Sequence, residues 1–147
     1  MIVYIRNRKF DLLDGSITID DTGAKGTSPM EPYDLIDSWC ILNGASARGR
    51  MDAYKALTAK NRKVPVLISE ISQEIWFPTT SYKSNDCEWI RADQILSLQK
   101  VKQDKTRVQF LSGYEMEVKV NYRVLKKQWD VSKNYLELLR DLKKNHV

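Results

Sequence analysis

One histidine, two cysteines and the lack of any long apolar run remove most of the chemistries that a chain of 147 residues could host. His146 stands one residue from the end of the sequence, so Ser-His and Cys-His nucleophile arrangements have no base placed to serve them. Cys40, Cys87 and that histidine are too few soft ligands for a structural zinc site within one chain. With no signal peptide in view both thiols are expected to stay reduced, and Cys40 reads as a small buried hydrophobe. No window approaches the roughly 18 consecutive apolar residues that a membrane span needs, and no lipidation signal is visible. Membrane insertion is therefore not expected, and a cytoplasmic location is. Carboxylates pair only as neighbours: Asp20-Asp21 lie in a loop, and Glu115 and Glu117 share a strand face that reads as solvated. Gly44-Ala-Ser-Ala-Arg-Gly49-Arg50 has the glycine spacing of a phosphate-binding loop. Such a loop needs Lys after the second glycine, then Ser or Thr, all after a buried strand; here Arg50 and Met51 follow a helix-like segment. Nucleotide hydrolysis is not expected, nor any enzyme activity, cofactor or small-molecule substrate.

What is present is ordinary globular material, 42% hydrophobic and 29% charged, which predicts one domain. A chain of this size buries roughly 70% of its unfolded surface and needs no disulfide or metal to hold a core. Charge is unevenly spread. Residues 46–63 hold six bases (Arg48, Arg50, Lys55, Lys60, Arg62, Lys63) against Asp52, a net +5 that equals the formal charge of the whole chain. Residues 11–37 hold seven acids (Asp11, Asp14, Asp20, Asp21, Glu31, Asp34, Asp37) against Lys25, a net −6 expected to face away from any polyanion. Clustered Lys and Arg beside a rigid apolar strand supply the sequence-independent part of nucleic-acid affinity.

Residues 1–5 and 17–19 predict a first hairpin with Asp14-Gly15 at its turn, followed by an exposed loop over 20–32. Tyr33 to Leu42 predicts a short buried helix that carries Leu35, Ile36, Trp39, Cys40 and Leu42 and stops at Asn43-Gly44. The stretch from Gly44 reads as a glycine-flanked loop that displays Ser46, Arg48 and Arg50, with a weaker helix over 51–58. Strands are predicted at 64–68, 74–78 and 89–90. A half-buried antiparallel meander follows at 95–102, 105–111 and 114–120, with Val101, Val108, Phe110, Met116, Val118 and Val120 inward. Residues 121–145 fit helix on a stripe of Leu125, Trp129, Leu136, Leu139 and Leu142, with Asp130-Val131-Ser132 dividing it and Ser132 capping the second piece. The fold class is α+β: a small antiparallel sheet, a short helix before a basic loop, and a C-terminal helix.

The order Ile36-Asp37-Ser38-x-Cys40, Gly44-x-Ser46-x-x-Gly49-Arg50, Tyr54, Lys63-x-Pro65, Phe77-Pro78-Thr79-x-Ser81 and Cys87-x-Trp89-Ile90 resembles the ComK family of competence transcription factors. The likeness continues through the Val108-x-Phe110-x-x-Gly113 hairpin and Met116 to Val120, and so spans about residues 35–130. The resemblance implies a sequence-specific activator that recognises A/T-rich duplex DNA, largely from the minor groove, as a self-associating oligomer. The sequence stops at Val147, short of the longer family members, so functions belonging to a C-terminal extension are not expected of it. A/T tracts narrow the minor groove, and a guanidinium enters more readily than a hydrated ammonium. Arg48 and Arg50 are therefore expected to read the groove, while Lys55, Lys60, Arg62 and Lys63 hold phosphates. Ser81, Tyr82, Lys83 and Asn85 form a second polar loop within reach of backbone or base edges; Trp76, Phe77, Pro78 and Trp89 are expected in the core. Two alternatives stand beside this. One is a protein-interaction module that heteromerises with a longer paralogue. The other is single-stranded RNA binding with Tyr54, Tyr82 or Tyr114 as stacking platforms.

Overall fold

The computed structural model describes residues 1–8 and 14–145; Asp11 of the acidic segment, the middle of the first hairpin connection and His146 lie outside them. β1 (Ile2–Asn7), β2 (Ser16–Asp20), β3 (Lys25–Ser28), α1 (Pro32–Leu42) and α2 (Ala47–Thr58) come first. β4 (Val66–Ser69), β5 (Glu74–Pro78) and β6 (Glu88–Arg91) follow, then a 3-10 turn at Ala92–Gln94, β7 (Ile95–Lys102), β8 (Lys105–Phe110), β9 (Glu115–Val118) and α3 (Tyr122–Lys144). The class is α+β, with antiparallel pairing throughout. No helix among the described residues is long and apolar enough to cross a membrane.

Six strands form one sheet in the order β3-β2-β1-β6-β5-β4, and β7-β8-β9 form a second. The larger sheet is stitched where β1 meets β6, with Ile5 opposite Trp89 and Tyr4 opposite Ile90. Trp89 and Ile90 of β6 are buried there, as are Ile75, Trp76 and Phe77 of the neighbouring β5. Each fully buried apolar side chain contributes roughly 1.5–3 kcal/mol, so these strands supply a substantial part of the core. α1 packs on β1 and β4, and Trp39 lies 5.6 Å from Trp76. α2 packs on α1 and β4, and α3 reaches β5, the 3-10 turn, β7 and β8, bridging the two sheets.

Several expectations need correcting. The loop over 20–32 contains β3, whose Lys25 to Ser28 pair with Ser16 to Ile19 although Gly and Thr there carry no apolar pattern. The partner strand imposes the structure. Leu42 is 83% exposed at the end of α1, and Val101 and Leu142 are also exposed rather than inward. In β7, bulges between Ile95 and Ser97 and between Lys100 and Lys102 insert extra residues, so Val101 loses the alternation from buried Ile95 that would have turned it inward. α3 is one helix. Ser132, fully buried, donates to the Gln128 carbonyl at 2.9 Å within the helix instead of capping a second one. Gly15 is at φ 144°, and a Cβ there would meet the Ser28 carbonyl, so the close approach of β3's end requires glycine.

Candidate nucleic-acid interface

Ser46 begins α2 rather than decorating a loop. Its backbone is extended, its Oγ accepts from the Gly49 N–H at 2.9 Å, and the Ala47 N–H donates to Asp37 Oδ1 at 2.8 Å. Arg48 and Arg50 therefore occupy the first turn and a half of a helix, which corrects the glycine-flanked loop. The phosphate-loop spacing is structural too, because a carboxylate already sits on that N-terminus.

The two arginines diverge. Arg48 is exposed and close enough to Tyr33 to influence its ionisation. Arg50 is turned inward, its side chain 20% exposed, Nη1 3.6 Å from Glu70 Oε1 and Nε buried without a partner. It also lies in the field of Cys40 and Tyr135. Glu70 is shared with Lys143 of α3, so Arg50 belongs to a network that ties α2, the β4–β5 turn and α3 together.

Past the helix end, Ala59 takes the left-handed conformation and its N–H returns to the Lys55 carbonyl at 2.9 Å. Lys63 is also left-handed, at φ 45°. These two reversals fold Asn61, Arg62 and Lys63 back toward Lys55 and toward the Ser81–Tyr82 segment. Together they line a groove of about 340 Å³ floored by Met51 and Val64. Among the described residues three cations line it and no acid does. Lys60 is exposed just beyond the helix cap and outside this lining. Tyr82 is the partition to a second groove of about 290 Å³ that holds Lys83, Asn85, Tyr33, Glu31 and Asp34. The Tyr82 ring stacks on Tyr33 at 4.8 Å, with Lys83 Nζ 5.8 Å from its centroid. The loop holds its own shape: Thr79 Oγ1 accepts from the Glu88 N–H at 3.0 Å, Ser84 Oγ from Asp86 at 3.1 Å, and the Asn85 carbonyl from Asn7 Nδ2 at 2.8 Å.

The structure thus brings Lys55, Arg62, Lys63, Ser81 and Tyr82 into one groove and Lys83 and Asn85 into its neighbour; Ser46 is a cap, and Arg50 is directed elsewhere. The expected segregation of acids fails, because Asp37 caps the basic helix and Glu31 and Asp34 face Lys83. Cations outside the groove are often neutralised: Arg91 by Glu74 and Asp93, Lys105 and Arg107 by Glu117, Lys126 and Lys133 by Asp130. Among the described residues no acid lies within ion-pair distance of Arg48, Lys55, Lys60, Arg62, Lys63 or Lys83.

The aromatic platforms of the RNA alternative are not available in the form expected. Tyr54 is 2% exposed and packs edge-on to Tyr135, while Tyr82 and Tyr114 each have a ring stacked on Tyr33 and Phe110. Both cysteines are buried and unpaired with each other, and burial pushes Cys40 up to about 11 and Cys87 upward as well. Sequence reasoning missed three contributors: Tyr33, Asp37 as a remote cap, and Gln128 of α3, whose amide reaches the Lys63 carbonyl at 2.9 Å. The available signal was a polar Gln128 on the apolar stripe between Leu125 and Tyr135.

The ComK protein family model matches residues 11–143, nearly the whole chain. A competence transcription factor of Bacillus subtilis (strain 168) is 28% identical over 99 residues, which are 67% of this chain and 52% of that protein. The chain spans about half the length of that curated relative. No solved structure matches. With the family model covering all three helices and most of both sheets, the chain belongs to the ComK family.

Proposed function

We propose that this chain is a DNA-binding transcription regulator, without catalysis, that takes a duplex against the acid-free groove of α2 and the 79–87 loop. The observation that carries the reading is a preformed groove lined by Lys55, Arg62 and Lys63, with no carboxylate in its lining and none in ion-pair reach among the described residues. Each such cation that meets a phosphate displaces a counterion condensed on the duplex, and that release is a large favourable term when a protein meets a phosphate backbone. Lys55, Lys60, Arg62 and Lys63 contact phosphates, with Ser81 and Lys83 extending the track and Asn85 near base edges. Arg48 is the guanidinium free to enter a narrow A/T minor groove, since it is exposed and has no acid in ion-pair reach among the described residues. Arg50 acts from behind as scaffold, and Ser46 as the cap that aims α2.

The experiment is titration of the purified chain against A/T-rich and G/C-rich duplexes, with competition by a minor-groove ligand and by a major-groove ligand. Preference for the A/T duplex, abolished by the minor-groove competitor alone, is the expected result. No binding to either duplex would refute the reading and leave the protein-interaction module.

A further inference from the structure

The two walls of the basic groove come from segments distant in sequence, and one buried amide holds both. Gln128, 7% exposed on α3, donates from Nε2 to the Lys63 carbonyl at 2.9 Å and to the Pro78 carbonyl at 3.2 Å. Lys63 ends the basic segment; Pro78 leads directly into Thr79 and the Ser81–Tyr82 wall. A primary amide carries two N–H groups on one nitrogen, so both are used and each goes to a different wall. α3 itself is fixed next to this point, where Trp129 Nε1 donates to the Ala92 carbonyl at 3.2 Å and Ser132 donates to the Gln128 carbonyl.

Lys63 gives the second observation. At φ 45° it occupies backbone space disfavoured for any residue with a Cβ, and glycine would relieve that strain. A side chain kept at such a position, in a cleft, points to a use for the side chain. The hydrogen bond from Gln128 holds the strained carbonyl in place.

We propose that Gln128 is a positioning residue for DNA selectivity: it sets the distance between Lys63 and the Ser81–Tyr82 wall, so that the groove accepts one backbone spacing, that of a narrow minor groove. This rests on the DNA-binding reading above. The cations supply affinity without it; the clamp supplies discrimination. Gln128→Leu or Gln128→Met fills similar space but leaves both carbonyls without a donor and the two walls free to move.

The test measures anisotropy of labelled A/T-rich and G/C-rich duplexes with wild type and both variants across a salt series, at a temperature where circular dichroism shows all three folded. Both variants should keep the wild-type salt slope, since every cation remains, while A/T selectivity falls about tenfold. A lower melting temperature with selectivity intact overturns the clamp and leaves Gln128 as core packing. Failure of wild type to bind any duplex refutes the DNA-binding reading instead, which separates the two failures. If neither variant folds, the Gln128 side-chain NH₂ resonances of the wild type decide. Their shift on titration with the A/T duplex, larger than with the G/C duplex, supports the clamp, and equal or absent shifts overturn it.

Discussion

Replacing Lys60, Arg62 and Lys63 together by alanine should flatten the salt dependence of duplex binding without changing which duplex is preferred. The perturbation is clean in the folded protein, because none of the three has an acid in ion-pair reach among the described residues and no native pair is broken. Alanine at position 63 keeps a Cβ at φ 45°, so the backbone strain is unchanged as well. Each phosphate contact adds about 0.9 to the slope of log affinity against log salt, and losing three makes the slope shallower by about 2.7. If the curves converge near 1 M salt, the triple variant binds about 500-fold more weakly at 0.1 M and about 80-fold more weakly at 0.2 M. The first figure corresponds to about 3.7 kcal/mol. Fluorescence anisotropy over that salt range, on A/T-rich and G/C-rich duplexes, reads slope and preference together. Lys105 and Arg107, both held by Glu117, provide the control pair, whose alanine variants should leave the slope near wild type. An unchanged slope in the triple variant would refute the reasoning and send the phosphate contacts elsewhere, with the lysines of α3 first in line.

Arg50→Lys should cost at most about 1 kcal/mol, the range for a partly exposed ion pair, and leave A/T selectivity as it was. A tenfold loss of selectivity at unchanged melting temperature would instead make Arg50 a groove reader. Asn121 caps α3 by accepting from the Arg123 N–H at 2.9 Å and also donates to the Gln103 carbonyl at 2.9 Å. Asn121→Ala should lower stability by about 1 kcal/mol and the melting temperature by roughly 2–4 °C, readable by calorimetry. Cys40 is a buried thiol raised from its ordinary 9.0 to about 11, so the folded state keeps its proton where the unfolded chain has lost it. That contribution is whole below pH 9 and lost as pH rises from about 9 through 11, on the order of 2 kcal/mol. Denaturant midpoints measured across that window should fall, and Cys40→Ala should remove this part of the fall. At pH 8 the native thiol should resist an aromatic disulfide reagent that reacts at once after unfolding.

The fold was legible wherever one segment carried its own pattern. Glu74 to Pro78, Ile95 to Lys102 and the start of β8 coincide with their predicted bounds because turn residues flank each apolar or β-branched run. Pattern failed where a neighbour decided. β3 is a strand because β2 offers it a ladder, and Val101 is exposed because a bulge shifts its parity, a register effect that no local window contains. Ser132 looked like a cap after Asp130, yet it sits on the buried face of one continuous α3, where the packing of Leu125 and Tyr135 outweighs local capping preference.

The site divides along the same line. Charge is a local property, so Lys55, Arg62 and Lys63 could be gathered from the sequence alone. Direction is not. Gly49 and a missing acid at the third helical position concealed the start of α2, while the second cap comes from Asp37, ten residues upstream and counted among acids that should have stayed away. Once α2 begins at Ala47, helical geometry sends Arg48 and Arg50 about 200° apart around the axis, so the two cannot enter one groove together. Arg50 meets Glu70 and the core; Arg48 is left facing solvent beside Tyr33. The same logic explains Gln128. A polar residue on an apolar stripe cannot be assigned from its own neighbourhood, because the carbonyls it satisfies, those of Lys63 and Pro78, are brought to it by two other segments. What the sequence displays is charge; what the fold adds is the spacing at which that charge is held.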